Sequence, residues 1–380
     1  MQKQSIGDVA DVILDKAEKA KLPYIEIGDV DVLTKRYVIK DKPAVDGALK
    51  ANKYCVLISK VRPTRGAVSI VQDDCYVSNA FVVLKARQAV IPDFLFYSTA
   101  YDINFFSYLG RLEKGTSYPS CRANDILSYK ISVPSRIDQE RIVQVLDQAD
   151  ALRQKRKQSL QLLDEFLRAT FLMMFGDPMF DSRWPMVNFG EVIEILTDYH
   201  ANGSYEILRD HVRLLSKKDY ALMVRTTDLE NNEFVKDVNY ITKEAYEFLE
   251  KSKVFGGEII INKIGSAGNV YLMPNLNRPV SLGMNAFLLR FKHEANSIFI
   301  YYLLLSSYGE RIIKQKIKGA VTKTIRKDAV RSLKIPLPPL DLQEKFAYTV
   351  EKINDARQKM QQSMVEMDNQ FNALTQKYFS

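Results

Sequence analysis

Two stretches of this chain carry apolar or small residues alternately three and four positions apart, the spacing of a helix with a single hydrophobic seam. Between Asp138 and Met174 the seam runs through Ile142, Val145, Ala149, Leu152, Ser159, Leu163, Phe166, Thr170 and Met173. Near the carboxyl end it returns as Phe346, Thr349, Ile353, Ala356, Met360, Ser363, Met367 and Leu374. Pro134 ahead of the first stretch, and Gly176, Pro178 and Pro185 behind it, supply start and stop signals. Each stretch predicts a helix of roughly 36 residues, about 54 Å long at the usual rise. A helix of that length cannot hide its stripe within a small domain of its own, so the pair is expected to pack as an antiparallel coiled coil. The competing expectation lays each helix along its own globular unit. Arg156, Ser159, Ser363 and Gln370 interrupt the seam, as happens where register matters more than raw stability.

The remaining sequence has a different texture. Short apolar runs rich in β-formers (54–58, 67–71, 81–84, 258–261, 269–272 and 286–291) are bounded by Gly, Pro, Asn or Asp and predict strands. Helical patterns fall at 92–108 and 297–316. Because the strands cluster instead of alternating with helices, the expected class is α+β, not a doubly wound sheet. An internal repeat then organises the whole chain. Gly115, Ile131, Pro134, Gln139, Glu140, Arg153 and Lys155 recur 204 positions later as Gly319, Ile335, Pro338, Gln343, Glu344, Arg357 and Lys359. With small slips, Asn79-Ala80-Phe81 returns as Asn285-Ala286-Phe287, Ile58-Ser59-Lys60 as Ile261-Asn262-Lys263, and Ile6-Gly7-Asp8-Val9 as Phe189-Gly190-Glu191-Val192. The expected organisation is a globular domain at 1–134, a spacer helix at 135–178, a second globular domain at 179–335 and a second spacer helix at 336–380. A length of 380 residues fits two such domains.

Composition narrows the function. With 46% hydrophobic and 26% charged residues and no run of 18 apolar positions, nothing in the sequence reads as a membrane span. Residues 1–20 carry Asp8, Asp11, Asp15 and Glu18 and lack the pattern of a secretory or transit leader, which points to the cytoplasm. Cys55, Cys75 and Cys121 share no ligand spacing with each other or with His200, His211 and His293, so neither a disulfide framework nor a metal site is expected. The net charge of +8 is unevenly spread: +4 over 1–134, 0 over 135–186, +5 over 187–335 and −1 over 336–380. A basic surplus confined to the two globular domains suits a polyanion footprint.

Each globular unit is closed by a Pro and then a Gln-Glu sequence leading into a charged helix. In the first copy Val133-Pro134 leads to Gln139-Glu140-Arg141, and in the second Leu337-Pro338-Pro339 leads to Gln343-Glu344-Lys345. Together with the run Leu146 to Arg153 and with Met174-Phe175-Gly176-Asp177-Pro178, this resembles the specificity subunit of type I restriction-modification systems over essentially the full length. The resemblance implies two target-recognition domains, each reading one half of a split, asymmetric site in double-stranded DNA. The helices would then act as a ruler; a separation of about 50 Å spans roughly 15 base pairs. It also implies two modification (adenine methyltransferase) subunits as partners, with restriction subunits joining them. S-adenosylmethionine would be bound by those modification subunits and no cofactor by this chain.

Candidate DNA contacts lie on loops that mix cations, hydroxyls and amides after β-runs. The first loop offers Lys60, Arg62, Thr64 and Arg65, with Lys263, Ser266 and Asn269 as its counterpart. The second offers Lys114, Thr116, Ser117 and Tyr118, matched by Lys318, Thr322, Lys323 and Thr324; here Ala320 stands where the first copy has Thr116, moving the hydroxyl role to Thr322 or Thr324. A third set, confined to the second unit, is Tyr199, His200, Asn202, Arg225 and Thr226. The bland reading of each loop is a solvated turn. Catalysis is not expected: Gly176-Asp177-Pro178-Met179-Phe180 only echoes a methyltransferase motif, without a Gly-rich loop on a preceding strand, and sits where Gly and Pro stop a helix. Gly265-Ser266-Ala267-Gly268 lacks the ending of a phosphate-binding loop. The alternative to DNA recognition is a helix-linked scaffold joining protein partners, which would lack the steep salt dependence of duplex binding.

Overall fold

The computed structural model describes residues 2–16 and 22–379. Of the segment 1–20 inspected for a leader, residues 1 and 17–20 lie outside that description. By their contacts the residues divide into two units, 1–159 with 360–380, and 160–359. This division cuts through the two long helices, Arg136–Phe175 and Leu340–Phe379, each 40 residues. Every unit therefore combines a globular lobe with part of both helices.

In the first unit, strands Ala10–Ile13, Phe81–Ala86, Val56–Ser59 and Val68–Ile70 form an antiparallel sheet in that spatial order. Against one face lie Pro92–Ala100 and Ile103–Leu112; behind the other lies a small sheet of Tyr24–Ile25, Cys75–Val77 and Leu49–Ala51. Successive strand residues point to opposite faces, so a strand buried on both sides must be apolar at every position. Val56 and Ile58 pack towards the helices while Leu57 packs towards the second sheet, and Val82 and Leu84 divide from Phe81 and Val83 in the same way. That is why these runs are unbroken in the sequence. Gln2–Ser5 pairs antiparallel with Lys130–Val133, tying the start of the lobe to its end.

The second unit repeats the plan. Ile193–Asp198, Ala286–Phe291, Ile259–Asn262 and Val270–Leu272 form the antiparallel sheet, and Met186–Asn188 pairs with Lys334–Pro336. Its second sheet is larger, with Asn239–Ile241, Ala221–Val224, Val280–Leu282 and Lys253–Val254. In both units one strand of this sheet runs parallel to its neighbour, Tyr24–Ile25 beside Cys75–Val77 and Ala221–Val224 beside Val280–Leu282.

The single helices expected at 92–108 and 297–316 are each broken in two. Asp102 accepts from the Asn104 amide at 2.8 Å and starts a new helix at Ile103. Ser306 does the same for Ser307–Lys314 through the Gly309 amide at 3.2 Å. An apolar period survives such a break, whereas the local cap ends it.

The Gln of each Gln-Glu motif explains how a lobe holds its helix. Gln139 is 1% exposed; its Nε2 donates to the carbonyls of Ala89 (2.9 Å) and Pro134 (3.1 Å), and its Oε1 accepts from the Ile91 amide (3.0 Å). Gln343 is 0% exposed and repeats this with Glu294 (3.1 Å), Pro338 (2.8 Å) and the Asn296 amide (2.8 Å). At the other end of the first helix, Gly176 adopts φ +75° and the Trp184 indole N–H donates to the Phe175 carbonyl at 2.9 Å, capping the stop.

Segments of the two long helices meet within each unit. In the first, the Arg153 guanidinium pairs with Asp368 (2.6 Å) and lies 4.5 Å over the Phe371 ring. In the second, Arg357 pairs with Asp164 (2.6 Å), and Phe171 and Phe175 pack edge-to-face against Phe346. In the second unit partner numbers fall as helix numbers rise, from Asp164 with Arg357 to Phe171 with Phe346, so its segments are antiparallel. The helices also feed their lobes' cores, Ile142, Leu146 and Phe371 in the first unit and Leu167, Phe171, Phe346 and Val350 in the second. The two expectations for the helices are thus both partly realised.

The seam of the first helix needs one correction. Ile142 is buried, and Val145, Ala149 and Leu163 are half-buried, but Leu152 and Phe166 are 56% and 54% exposed. The buried stripe passes through Leu146, Arg153 and Leu167 instead, one residue later at alternate steps. A seven-residue repeat fits either phase, and packing on the lobe selects one. On the second helix Phe346 is buried, and Ile353, Ala356, Met360, Met367 and Leu374 are half-buried.

Candidate nucleic-acid interface

The two candidate loops of the first unit, 54 positions apart in sequence from Lys60 to Lys114, are knitted into one surface. Val61 bridges to Ser120, and Lys114 bridges to the same Ser120. The Cys121 amide donates to the Lys60 carbonyl at 2.9 Å, and the Arg62 amide to the Pro119 carbonyl at 2.6 Å. Arg62 is held at φ +47°, an unusual conformation for a side-chain-bearing residue. Its guanidinium donates to the Ser117 carbonyl (3.2 Å) and sits 4.9 Å over the Tyr118 ring. Thr64, Arg65, Lys114, Thr116, Ser117 and Tyr118 are exposed around it, and Lys60 is half-buried.

The second unit builds the same surface from its own residues. Ile264 bridges to Thr324, and Lys318 bridges to the same Thr324. The Ile325 amide donates to the Lys263 carbonyl (3.0 Å) and the Gly265 amide to the Lys323 carbonyl (3.1 Å). Gly265, at φ +79°, stands where the first unit strains Arg62. Gly115 and Gly319 share φ near +100°, and a Cβ at Gly319 would fall 2.1 Å from the Thr322 carbonyl oxygen, so the turn requires glycine there. Lys318, Thr322, Lys323, Ser266 and Asn269 are exposed, while the Thr324 hydroxyl turns back towards the Lys318 carbonyl at 3.5 Å.

Four residues of the second unit are engaged internally and are corrected as candidate contacts. Tyr199 is buried among Leu208, Val212 and Met223, and burial raises its phenol pKa. The Asn202 amide is spent on the Tyr199 carbonyl (3.0 Å), the Ser252 hydroxyl (3.0 Å) and the Lys251 amide (2.9 Å). The Arg225 guanidinium clasps Asp228 (2.6 Å) and the Asp237 carbonyl, bracing the start of a short helix. Lys263 pairs with Asp198 at 2.8 Å, and Lys327 joins from the other carboxylate oxygen at 3.0 Å. Burial alone would raise the Asp198 pKa, but the two ammonium groups outweigh it and hold the carboxyl below its usual range. His200 remains exposed beside this pair, and Thr226 is half-buried. A composition-based reading finds polar residues in loops but not the partners that consume them.

Sequence reasoning also passed over a cleft of about 460 Å³ in the second unit, with Tyr205, Arg209, Thr226, Thr227, Met284 and Asn285 on its walls. Its signal was the extra sequence between Asp198 and Lys253, which has no counterpart of equal length in the first unit. The three cysteines are all buried; burial pushes the Cys75 thiol up to about 12 and the Cys121 thiol up to about 11, leaving both protonated and unreactive near neutrality. Among the described residues no three His, Cys, Asp or Glu side chains gather as metal ligands, and no helix is long and apolar enough to cross a membrane.

Known proteins share this plan. The chain is 22% identical over 298 residues to the type I restriction enzyme MjaVIII specificity subunit of Methanocaldococcus jannaschii, covering 73% of this chain and 67% of that one. It is 26% identical over 187 residues to the HindI specificity subunit of Haemophilus influenzae, covering 46% of this chain and 40% of the relative. Among solved structures, a chain from work on complex assembly and conformational transition of the type I R-M system aligns over the full length with TM-score 0.60 at 17% identity. The type I restriction-modification S subunit of M. genitalium aligns with TM-score 0.59 at 16% identity, over 100% of this chain and 96% of that one. The profile of the type I restriction modification DNA specificity domain matches residues 1–162 and again residues 181–364. The repeat seen in the sequence and the twice-built loop surface are thus two copies of one known domain, and the chain belongs to the type I restriction-modification DNA specificity family.

Proposed function

We propose that this chain is the DNA sequence-recognition subunit of a type I restriction-modification complex, and that each unit reads one half of a two-part site in double-stranded DNA. The observation that carries the reading is the repeated knitting of two basic loops into one surface, through Ser120 in the first unit and Thr324 in the second. Arg65 and Lys114 there, and Lys318, Lys323 and Arg326 in the second unit, are exposed cations that make no ion pair among the described residues. Cations free of internal partners are what phosphate contacts require.

The chain itself carries no catalytic role in this reading. S-adenosylmethionine and adenine methylation belong to two modification subunits, which restriction subunits join, and the complex works in the cytoplasm. The exposed apolar residues Leu152, Leu162, Phe166 and Met173 on the first long helix and Tyr348 and Val365 on the second supply docking surface for those partners. The helices set the gap between the two half-sites.

The test combines the full chain with its modification subunits and S-adenosylmethionine and maps methylated adenines across a genome. A two-part motif is expected, with one half changing when the second lobe is exchanged. A heptad inserted into both long helices should widen the gap and leave the bases unchanged. Absence of a two-part motif, or altered bases at an unchanged gap, refutes the reading. Partner docking without steep salt-dependent duplex binding would point instead to a protein scaffold.

A further inference from the structure

Three of the polar side chains expected to read bases in the second unit are consumed by the protein itself, which raises the question of what projects from that surface with nothing to bind. The turn Gly283-Met284-Asn285 does. The Gly283 amide donates to the Val224 carbonyl at 2.7 Å, and a Cβ on Gly283 would lie 2.8 Å from that same oxygen, so the turn is pressed onto the neighbouring strand. Asn285 is held at φ +71°, and its carbonyl accepts from the Lys263 amide at 2.8 Å. The turn is therefore fixed at both ends, to the strand Ala221–Val224 at Gly283 and to the knitted loop surface at Asn285. Its side chains are not: the Asn285 amide is exposed and has no hydrogen-bond partner among the described residues, and Met284, a large apolar group, is 48% exposed beside it. Both line the mouth of the 460 Å³ cleft.

A rigid turn carrying a free amide next to a free apolar side chain matches one base pair better than the others. An Asn amide reads adenine through two bonds, its Nδ2 donating to N7 and its Oδ1 accepting from the N6 amino group; an apolar side chain favours the methyl group that distinguishes thymine. At the equivalent turn of the first unit the Lys60 amide donates to the Ala80 carbonyl at 2.9 Å, so Ala80 stands where Asn285 does and the exposed Asn79 where Met284 does.

We propose that the turn Gly283-Met284-Asn285 reads an A·T base pair, with the Asn285 amide on adenine and Met284 against the thymine methyl; the proposal rests on the reading of this chain as a DNA-recognition subunit. The turn needs no rearrangement to act, because its backbone is already pinned.

The experiment uses the complex of the full chain with its modification subunits. Asn285→Gly keeps the left-handed backbone and removes the amide, and Asn285→Asp keeps the shape but can only accept. Methylated-site mapping should show one A·T position in a single half-site becoming degenerate with Asn285→Gly, its preference falling about 5- to 150-fold, equivalent to ~1–3 kcal/mol. Asn285→Asp should shift that position towards cytosine. In duplex binding, an adenine analogue lacking N7 should weaken the parent complex and not Asn285→Gly, and deoxyuridine for thymine should weaken the parent and not Met284→Ala. If the parent yields a two-part motif and both Asn285 variants, folded by circular dichroism, keep it unchanged, the proposal is overturned while the functional reading stands. If the parent yields no such motif, both fall.

Discussion

Replacing Gln343 with methionine, which is similar in length but cannot hydrogen-bond, tests whether the Gln-Glu motif is a structural clamp. Three bonds vanish: the one to Pro338 is fully buried, and those involving Asn296 and Glu294 are partly so. A buried group left without a partner costs ~1–3 kcal/mol, and a partly solvated bond contributes ~0.5–1.5 kcal/mol. The sum is about 2–6 kcal/mol with a mid-range near ~4 kcal/mol, offset little by the added apolar volume at a site already 0% exposed. The chain has a single tryptophan, Trp184, which lies in the second unit with its indole bonded to Phe175. Its fluorescence reports that unit, while far-ultraviolet circular dichroism reports both. With an m-value of ~2–3 kcal/mol/M, Gln343→Met should lower the urea midpoint of the fluorescence transition by about 1–2 M. Gln139→Met, in the first unit, should shift that transition less and the dichroism transition comparably. A fluorescence shift worth under ~1 kcal/mol for Gln343→Met, or an equal shift for Gln139→Met, would refute the clamp.

Two further perturbations probe charge. Asp198→Asn releases Lys263 and Lys327 from their shared carboxylate, so sequence-independent duplex affinity should rise and the slope of log affinity against log salt should steepen by up to about 1.8, or ~0.9 per added phosphate contact; an unchanged slope in a salt titration would show that neither lysine reaches DNA. Because the folded Asp198 pKa is lowered, its contribution to stability is present above its ordinary value of 3.8 and is lost as pH falls through the folded value, so acid unfolding of the parent and Asp198→Asn should converge at low pH. Lys35 is buried against Tyr101 and Phe106 with its ammonium donating to the Gly66 carbonyl at 2.7 Å, and burial lowers its pKa to about 8. The unfolded chain then holds more protons between pH 8 and its ordinary 10.5, so thermal stability should gain with rising pH across that window relative to Lys35→Met; parallel pH profiles would rule this out.

The periodicity alone determined a great deal: two long helices, two α+β lobes and their repetition 204 positions apart, because periods of 2 and 3.5 are set by the backbone and survive in any context. The Pro and Gln-Glu entries were visible as a pattern, and the loops around Lys60, Lys114, Lys263 and Lys318 were legible as polar tips after apolar runs. Tertiary structure decided what the pattern left degenerate. It chose the helix phase that buries Leu146 and Leu167 and exposes Leu152 and Phe166, since both phases satisfy a heptad and only the lobe breaks the tie. It brought Arg62 to Tyr118 and Ile264 to Thr324 across more than fifty residues of chain, a closeness no local period encodes. Above all, it decided which polar residues are free. Asn202, Arg225 and Lys263 are as hydrophilic in the sequence as Asn285, but their partners come from Ser252, Asp237 and Asp198, and hydrogen bonds between distant residues exist only once the chain has folded.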